Sequence, residues 1–522
     1  MNPFVQRHEK SVIGMISGLD RVRFRGTLMW LSCVPMMARY LRHIGVMLKN
    51  FKEYALEVTR LVREGTKRLA EDAGRPLVLL ANASAPKDEL ARQIARRDGI
   101  REGLICVLAA QEPSYSYRVA GNHRTHQIGL RVIRPRCVHY YHYLIHPELG
   151  FLHVRVQTWL PLAVHICING REWLARQMDR EGIGYRRDRN CFLDIEDVAR
   201  AQELLNEQLK VNWPSVLGAL AGRANPAFAE IFGCDPVQYY WSAEQSEWAS
   251  DVMFKSPGAL ASLYPWLIRH GMVCLASRDV MRFLGRKVPA QGGVNGNFQG
   301  QVVTDVKRRP EGVRIRHRLN RNSIKMYDKS GSVLRVETTI HDAKDMKVYR
   351  SAEGRPKGSK RWVPLRKGVS DLYRRTQVCQ AANEQYLEAM ASVEPGVSLR
   401  ELAEPLCRRV RWKRRGFRAL HPWSAEDASL LAAIQHGEFA LRGFRNREIR
   451  PLLYGQENGV APAEIRRRSG AVTRKLRLLR AHKLIRKVPG THRYKLTRKG
   501  RAAAAALLLA RELDTTQLAS AA

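Results

Sequence analysis

The clearest periodic pattern in this chain lies between Val313 and Ile340, where apolar and polar residues alternate through three successive runs. A period of two is typical of β-strands that bury one face. A two-residue turn at Asn320-Arg321 and a three-residue loop at Lys329-Ser330-Gly331, with the glycine left-handed, keep the two faces separate. This register places Met326 opposite Leu334. The polar face of the predicted meander carries Arg314, Arg316, Arg318, Lys325, Tyr327, Arg335 and Glu337.

So many cations on one sheet face repel each other unless an anion lies over them. The phosphate backbone of a nucleic acid is one such anion, and single-stranded DNA or RNA would fit an open sheet. A solvated face, on which the arginines only confer solubility, predicts the same pattern. The sequence leaves both interpretations of this face open.

The N-terminal part of the chain alternates strand and helix patterns, which indicates an α/β layer. Residues 12–28 predict a short apolar segment and then a strand that starts at Asp20 and carries arginines on one side. No GxxxxGK[ST] motif occurs, so no ATP-driven step is expected. The periodicity also predicts helices over 51–73 and 87–97, buried strands over 76–80 and 104–109, and helical pieces over 169–213 and 214–250.

Residues 114–168 are rich in strand-forming and aromatic residues. A hairpin symmetric about Glu148-Leu149 would place His142, His146 and His153 on one face, together with Arg155. Three imidazoles within reach of one another are a candidate site for a divalent metal. Histidines on strands also pack or hydrogen-bond without a metal, and a shift of the register by one residue would separate the set.

The C-terminal part of the chain has the most specific pattern. A capping box, Ser424-Ala-Glu-Asp427, opens a helix that runs to Gln435, and FRNREIRPLL predicts a second short helix. In PAEIRRRSGAVTRKLRLLRAHKLI the apolar residues keep helical spacing while the arginines lie off that stripe. LIRKV-PGT-HRYKLT then predicts a tight hairpin, and a last helix follows Thr497.

This order of elements resembles the MarR-type winged-helix regulators over residues 424–512, above all in the ending LLRAHKLIRKV…YKLTRKGR. The resemblance implies double-stranded DNA as a partner, with the third helix in the major groove and the hairpin, or wing, on the DNA backbone. A winged helix used only for protein contacts is the alternative. The DNA-binding candidates are Thr473, Arg474, Arg477 and Arg480 on the helix and His492, Arg493 and Lys495 on the wing.

The central segment IKMYDKSGSVLRVETTI resembles rolling-circle replication initiators and related phage nicking proteins, which carry a YxK strand followed by a strand with R-x-E. Those proteins also open on a strand begun by an acidic residue, as at Asp20. The resemblance implies a tyrosine nucleophile, Tyr327, and carboxylates, Glu337 and Asp20, that hold Mg²⁺ or Mn²⁺. The chain departs from that pattern because it has no HxH pair. The whole chain also resembles a bacterial protein family, which implies no particular activity.

Charge and cysteine usage narrow the class of protein. The 522 residues include 89 Lys and Arg against 49 Asp and Glu, and the formal net charge of +40 favours a nucleic-acid partner over an anionic membrane. Nine cysteines without a CxxC pair fit a reducing cytoplasm. No signal peptide or membrane span is predicted.

We therefore predict a cytoplasmic, multidomain α+β protein with mixed α/β and antiparallel regions. The favoured function is that of a DNA-binding factor of a mobile element, acting in replication initiation, recombination or end recognition, with metal-dependent strand nicking as a further step. The alternative is a non-enzymatic winged-helix regulator or an RNA-binding protein. The predicted divisions are a mixed α/β domain over 1–213, a helical segment with the central meander over 214–350, a basic linker and helix over 351–423, and the winged helix over 424–522.

Overall fold

The computed structural model has the predicted α+β class, with one large sheet, several two-stranded hairpins and helices on both sides of the sheet. The structure describes residues 2–122, 127–233, 235, 237–286, 300–309, 312–351, 360–393, 399–437, 439 and 443–513. Within those ranges no helix is both long enough and apolar enough to cross a membrane.

The strands, numbered in chain order, are β1 (Val12–Leu28), β2 (Leu77–Leu79), β3 (Gly103–Pro113), β4 (Ser116–Asn122), β5 (Gln127–Ile133), β6 (Arg136–His146), β7 (Gly150–Gln157), β8 (Val164–Asn169), β9 (Tyr185–Asp188), β10 (Cys191–Ile195), β11 (Tyr239–Phe254), β12 (Val302–Arg309), β13 (Gly312–Leu319), β14 (Asn322–Lys329), β15 (Val333–Ile340), β16 (Lys347–Ser351), β17 (Lys360–Pro364), β18 (Val410–Trp412), β19 (Arg415–Phe417), β20 (Ile485–Lys487) and β21 (Tyr494–Leu496).

The helices, numbered in the same way, are α1 (Pro3–Arg7), α2 (Val34–His43), α3 (Phe51–Asp72), α4 (Lys87–Arg97), α5 (Gly170–Glu181), α6 (Val198–Glu207), α7 (Trp213–Ala224), α8 (Phe228–Phe232), α9 (Pro257–Val273), α10 (Ser277–Phe283), α11 (Leu372–Met390), α12 (Leu399–Ala403), α13 (Ala425–Ile434), α14 (Asn446–Tyr454), α15 (Pro462–Ala481) and α16 (Arg498–Glu512). Short 3₁₀ turns lie at Met29–Leu31, Leu48–Asn50, Gln208–Lys210, Ala343–Asp345 and Val369–Asp371.

The large sheet joins the N-terminal half of the chain to the central meander. Its strand order is β12-β13-β14-β15-β11-β1-β8-β7-β6-β3-β2, and the long strands β1 and β11 pair antiparallel at its centre. The two halves of the sheet have the same topology. In each, a long strand (β1 or β11) is followed by a connection that contains helices and then by antiparallel strands, and the last of these (β8 or β15) pairs with the long strand. The central meander and the N-terminal half therefore share one sheet.

The central meander forms as the alternation predicts. The turn at Asn320-Arg321 and its register are confirmed. The second connection also has three residues, but it is Ser330-Gly331-Ser332, one residue later than predicted, with the first two residues left-handed. Met326 therefore lies opposite Val336 and not opposite Leu334. Because this shift moves each partner by two residues, every side chain keeps its predicted face.

One face of the sheet, which carries the apolar side of the meander, is covered by helices α9, α10 and α11. Asn383 of α11 anchors this layer, because its side-chain amide donates to the backbone oxygens of Val336 at 3.0 Å and Trp248 at 3.1 Å. Its own side-chain oxygen accepts the hydroxyl of Thr338 at 2.7 Å. The buried amide thus satisfies backbone groups of two neighbouring strands and fixes the helix over them.

The opposite, polar face is covered only in part. Helix α6 lies so close to β1 that a Cβ on Gly18 would be 2.8 Å from a methyl group of Leu205, which explains the glycine. The β9–β10 hairpin contacts β11 and β15 beside this helix. Helix α4 packs on the same face near its other edge, against β3 and β6. Between these elements Arg21 and Arg23 of β1 are exposed.

Three predictions about local structure are wrong in whole or in part. The region 214–250, predicted as helical pieces, contains most of β11, a strand of 16 residues. From Ser246 to Phe254 this strand is buried on both faces, so it lacks the alternation that marks a strand. The segment 76–80, predicted as a buried strand, forms the edge strand β2, where Leu79 is 70% exposed. In addition, the β9–β10 hairpin interrupts the predicted helical region 169–213.

The C-terminal part contains every predicted element, in the order α13, α14, α15, β20–β21 and α16. These elements enclose a hydrophobic core of their own, and Leu406 and Leu420 are fully buried in it. Part of the predicted linker 351–423 therefore packs with these C-terminal elements. Residues 352–359 of that linker lie outside the described residues. We call residues 399–513 the C-terminal module.

Candidate functional site

Three acidic side chains meet on the polar face of the large sheet: Asp20 of β1, Glu247 of β11 and Glu337 of β15. One carboxylate oxygen of each lies within 4.8 Å of the other two. Each residue is 4–5% exposed. A β-bulge between Leu19 and Arg21 brings Asp20 to this face, because the extra residue lets neighbouring side chains point to the same side. We call these three residues the acidic triad.

Both oxygens of Glu337 are bound. Lys325 Nζ lies 2.6 Å from Oε1, and the hydroxyl of Tyr327 donates to Oε2 at 2.8 Å. Burial opposes ionisation of Glu337, but the charge and hydrogen bond of Lys325 and the charge of Arg335 outweigh it and lower the pKa of Glu337 to about 2. Burial, with the charge of Glu337, raises the pKa of Tyr327 well above its ordinary value.

Glu247 titrates in the opposite direction from Glu337. Arg21 donates to both of its carboxylate oxygens at 3.1 Å. Burial and the charge of the neighbouring Glu337 nevertheless raise the pKa of Glu247. Two buried carboxylates that lie close together cannot both ionise freely, so their titrations move apart. A cation placed between them would relieve this repulsion.

Arg335 lies at the buried end of the site. Its guanidinium binds both oxygens of Asp251, at 2.6 and 2.8 Å, and lies 3.2 Å from Asp20 Oδ1. It also donates to the backbone oxygen of Asn190 at 2.8 Å, and Asp251 accepts a further bond from Arg171 at 2.9 Å. The meander alone predicted Arg335 as a contact for nucleic acid. The structure corrects this prediction, because the guanidinium is 1% exposed and fully enclosed.

The remaining cations of the polar face are crowded, as the alternation predicted. Burial, and then the neighbouring charge of Arg318, lowers the pKa of Arg316. The side chain of Arg318 is 41% exposed, with Nε 3.5 Å from Asp305 Oδ2. Arg314 lies further along the same strand and also opposes the charge of Arg316. An anion over this part of the face would be stabilised by the charges of Arg314 and Arg316.

The acidic triad has a donor set that suits a hard divalent cation. Carboxylate oxygens are the ligands that Mg²⁺ and Mn²⁺ prefer, and these ions also retain water ligands. Among the residues that the structure describes, the triad is the one group of three or more His, Cys, Asp or Glu side chains whose ligand atoms approach one another this closely. Lys325 and Arg21 neutralise the same oxygens in the described structure. A metal would therefore have to displace these cations.

The three histidines predicted as a metal site do not meet. The connection between β6 and β7 has three residues, 147–149, so the register is one residue away from the predicted one and His142 lies opposite Val154. His153 therefore lies on the polar face and His142 on the other face. His142 and His146 share a face, but four residues along a strand place them ~13 Å apart, too far to bind one metal.

The helix candidates for DNA binding fall into two groups. Arg474 and Arg477 of α15 are exposed. Thr473 is turned inward, because its hydroxyl donates to Ser469 O at 2.9 Å and accepts from the side-chain amide of Asn446 at 2.9 Å. Arg480 lies over the ring of Trp412 at 4.7 Å. The exposed arginines are free to meet a ligand, while Thr473 links α15 to α14.

The wing candidates also differ from one another. His492 is exposed and Lys495 is half-buried. Arg493 donates to the backbone oxygen of Gly443 at 3.2 Å and lies 3.8 Å from Glu448. It therefore ties the wing to the segment before α14. Arg493 stays a predicted contact to the DNA backbone, and these bonds give it a structural role as well.

Glu247, Asp251 and Arg171 belong to the site but were not predicted from the sequence. The first two lie on β11, whose residues up to 250 were predicted as helical, and Arg171 lies at the start of α5. A signal was present in YYWSAEQSEWASDVMF, whose aromatic start is typical of a strand. Comparisons with protein-family models, curated proteins and solved structures find no match to this chain.

Proposed function

We propose that this protein binds duplex DNA through its C-terminal module, with α15 in the major groove and the β20–β21 wing on the backbone. The observation that carries the proposal is the exposed basic side of α15. Arg466, Arg474 and Arg477 lie on it, and none has an ion pair within the described ranges. The opposite side of α15 is buried through Val472 and Leu476. A helix held in this way presents its charges to a partner at no cost in packing.

Salt-dependent binding of duplex DNA by the full chain tests this proposal. Each protein contact with a DNA phosphate makes the slope of log K, the binding constant, against log salt concentration more negative by ~0.9. Changing Arg474 and Arg477 together to Ala should weaken binding at least ~10-fold, and the slope should fall by ~0.9 for each of the two that contacts a phosphate. The matched control is Arg467→Ala, since Arg467 lies on the same helix but already pairs with Glu464 at 2.6 Å. Equal losses in both variants, or binding that salt does not weaken, would contradict the proposal.

We propose, as a second activity, that the acidic triad supports metal-dependent cleavage of a DNA strand laid on the polar face. Asp20, Glu247 and Glu337 would hold Mg²⁺ or Mn²⁺. A divalent cation supplies, when bound, positive charge that offsets the charge on a phosphodiester under attack. Lys325 and Arg21, released from the carboxylates, would then bind phosphate oxygens beside the triad. This activity suits the mobile-element role that the resemblance to replication initiators implies.

Tyr327 has two candidate roles in this activity. As a nucleophile it would attack phosphorus, form a phosphotyrosine bond and release the hydroxyl of the leaving strand. Its phenol instead donates to Glu337, and its pKa is raised, so the deprotonated form is disfavoured. We favour a positioning role, in which Tyr327 orients Glu337 and a water molecule attacks the phosphodiester.

Cleavage assays on single-stranded and supercoiled DNA with Mg²⁺ or Mn²⁺ test the second activity. Glu247→Gln should abolish cleavage and leave duplex binding unchanged. Glu244→Gln is the matched control, since Glu244 lies on the same strand but 43% exposed and 3.6 Å from His165. Wild-type protein that cleaves neither DNA nor RNA with either ion would leave a non-enzymatic regulator. Cleavage that persists in Glu247→Gln would remove the triad from the mechanism, and equal loss in Glu244→Gln would show that the effect is not specific to the triad.

A further inference from the structure

A cavity lies on the other face of the sheet, between α7, the end of α3 and the end of β6. Its volume is about 270 Å³, and its mostly apolar wall includes Leu69, Leu144 and Leu220. A second hollow of about 220 Å³ adjoins it and shares Leu220 and Arg223. A cavity of ~150 Å³ already accepts a benzene ring, so this one has room for a two-ring molecule.

The polar feature of this cavity is His142. It lines the wall, is 1% exposed, and neither of its ring nitrogens has a hydrogen-bond partner among the described residues. The backbone of its cross-strand neighbour Val154 lies close enough to the ring to raise its pKa slightly, but it does not meet hydrogen-bond geometry with either ring nitrogen. Burial lowers the pKa of His142 to about 4, so the ring is neutral and offers one donor and one acceptor. A buried polar group without a partner requires an explanation, and a ligand atom supplies one.

The mouth of the cavity carries charge. Arg223 of α7 is exposed there and has no ion pair in the parts of the chain that the structure describes. His146 accepts the backbone N–H groups of Glu148 at 3.1 Å and Leu149 at 3.2 Å through Nδ1, so its ring is held in place at the same wall. Glu102 also lines the cavity, and its negative charge would repel an anionic group of the ligand placed beside it. The charge that suits this mouth is one carboxylate beside Arg223.

We propose that this cavity binds a small amphipathic molecule with a flat apolar body, an uncharged hydroxyl or carbonyl group that meets His142, and a carboxylate that meets Arg223. The site is independent of the acidic triad, which lies on the opposite face of the sheet. Two of the three histidines that the sequence marked as metal ligands thus line a binding site of another kind.

The full-length protein and three related probes test this proposal. The probes are 6-hydroxy-2-naphthoate, 2-naphthoate, which lacks the hydroxyl, and 2-naphthol, which lacks the carboxylate. Calorimetry should show that 6-hydroxy-2-naphthoate binds with a Kd below ~1 mM, and that loss of either polar group weakens binding about 10-fold. His142→Leu should bind 6-hydroxy-2-naphthoate and 2-naphthoate equally well. Arg223→Gln should bind 6-hydroxy-2-naphthoate and 2-naphthol equally well.

Two controls separate these effects from damage to the fold. His317 of β13 is another buried histidine, and it hydrogen-bonds to Thr304 at 2.8 Å and to Tyr386 at 3.0 Å. His317→Leu should bind all three probes as the wild type does. His142→Leu should also melt at a higher temperature than the wild type, because it removes an unpaired buried polar group. The proposal is overturned if no probe binds at 10 mM (about ten times the expected limit). It is equally overturned if the hydroxyl contributes as much in His142→Leu as in the wild type.

Discussion

At the scale of single residues, Glu337 and Glu247 affect stability with opposite signs. The pKa of Glu337 is lowered from 4.5 in a free chain to about 2 in the folded protein. Its charge therefore stabilises the fold above pH 4.5, and this contribution is lost as the pH falls from 4.5 towards 2. The pKa of Glu247 is raised, so its ionised form is disfavoured in the fold and acidification relieves that repulsion.

We predict that Glu337→Gln lowers the free energy of unfolding on the order of 2–3 kcal/mol at pH 7. The difference from the wild type should shrink between pH 4.5 and 2, because the wild-type carboxylate becomes protonated there. Urea unfolding at pH 7, 4 and 3 measures this. Glu89→Gln is the control, since Glu89 is 56% exposed and should change stability by less than ~0.5 kcal/mol. A difference that does not vary with pH would contradict the assigned charge.

A second prediction concerns Tyr327. If it positions Glu337, Tyr327→Phe should slow metal-dependent cleavage by about 10- to 100-fold without abolishing it, since one hydrogen bond to the carboxylate is lost. Wild-type reactions should contain no protein–DNA adduct that survives boiling in detergent. Such an adduct in the wild type, together with its absence in Tyr327→Phe, would establish the nucleophile role instead.

At the scale of elements, the start of α5 is pressed against the bulge that directs Asp20. A Cβ on Gly170 would lie 1.9 Å from the backbone oxygen of Leu19. We predict that Gly170→Ala lowers the free energy of unfolding by about 1–3 kcal/mol and impairs every activity of the triad. Gly218→Ala is the control, because a Cβ there meets nothing within 4 Å and alanine favours a helix. Thermal unfolding and cleavage assays measure both effects, and an unperturbed Gly170→Ala would refute this account of the bulge.

The next prediction concerns the structural role of Arg493 in the wing. Arg493→Ala should lower the stability of the C-terminal module by about 1–2 kcal/mol, because the Gly443 carbonyl loses its donor. His492→Ala should leave stability unchanged and weaken all duplexes about equally, as expected of a contact to the DNA backbone. Chemical unfolding and binding to a panel of duplexes separate the two. Equal stability of the variants would show that the Arg493 bond contributes nothing.

At the scale of the whole molecule, the C-terminal module has its own core but starts earlier than the sequence suggested. Leu420 N donates to Leu406 O at 2.9 Å, and Arg418 binds both oxygens of Asp427 at 2.7 Å. We predict that residues 399–522 fold alone and bind duplex DNA, whereas residues 424–522 are less stable by about 2–5 kcal/mol, since they lose Leu406 from the core. Urea unfolding of both fragments measures this, and equal stability would place the boundary where the sequence did.

The sequence by itself determined what depends on near neighbours. Alternation and turn length predicted the meander, its faces and both loop lengths, because a strand partner a few residues away is set by the turn between them. Helical periodicity and capping residues located α3, α4, α13 and α14 within a residue or two, and they located the starts of α15 and α16, since these signals act within one turn of helix. Glu337, Lys325 and Tyr327 were identified as one cluster for the same reason.

Only the tertiary structure decided what depends on distant pairing. Glu247 joins Asp20 because β11 pairs with β1, more than 200 residues away, and a strand buried on both faces lacks the alternation that would reveal it. The histidines separated because one extra residue in the β6–β7 connection turned His153 to the other face. Arg335 changed from an exposed cation to a buried one because a hairpin from another part of the chain covers it. Burial and register between remote strands are properties of the assembled sheet, and local periodicity carries no information about them.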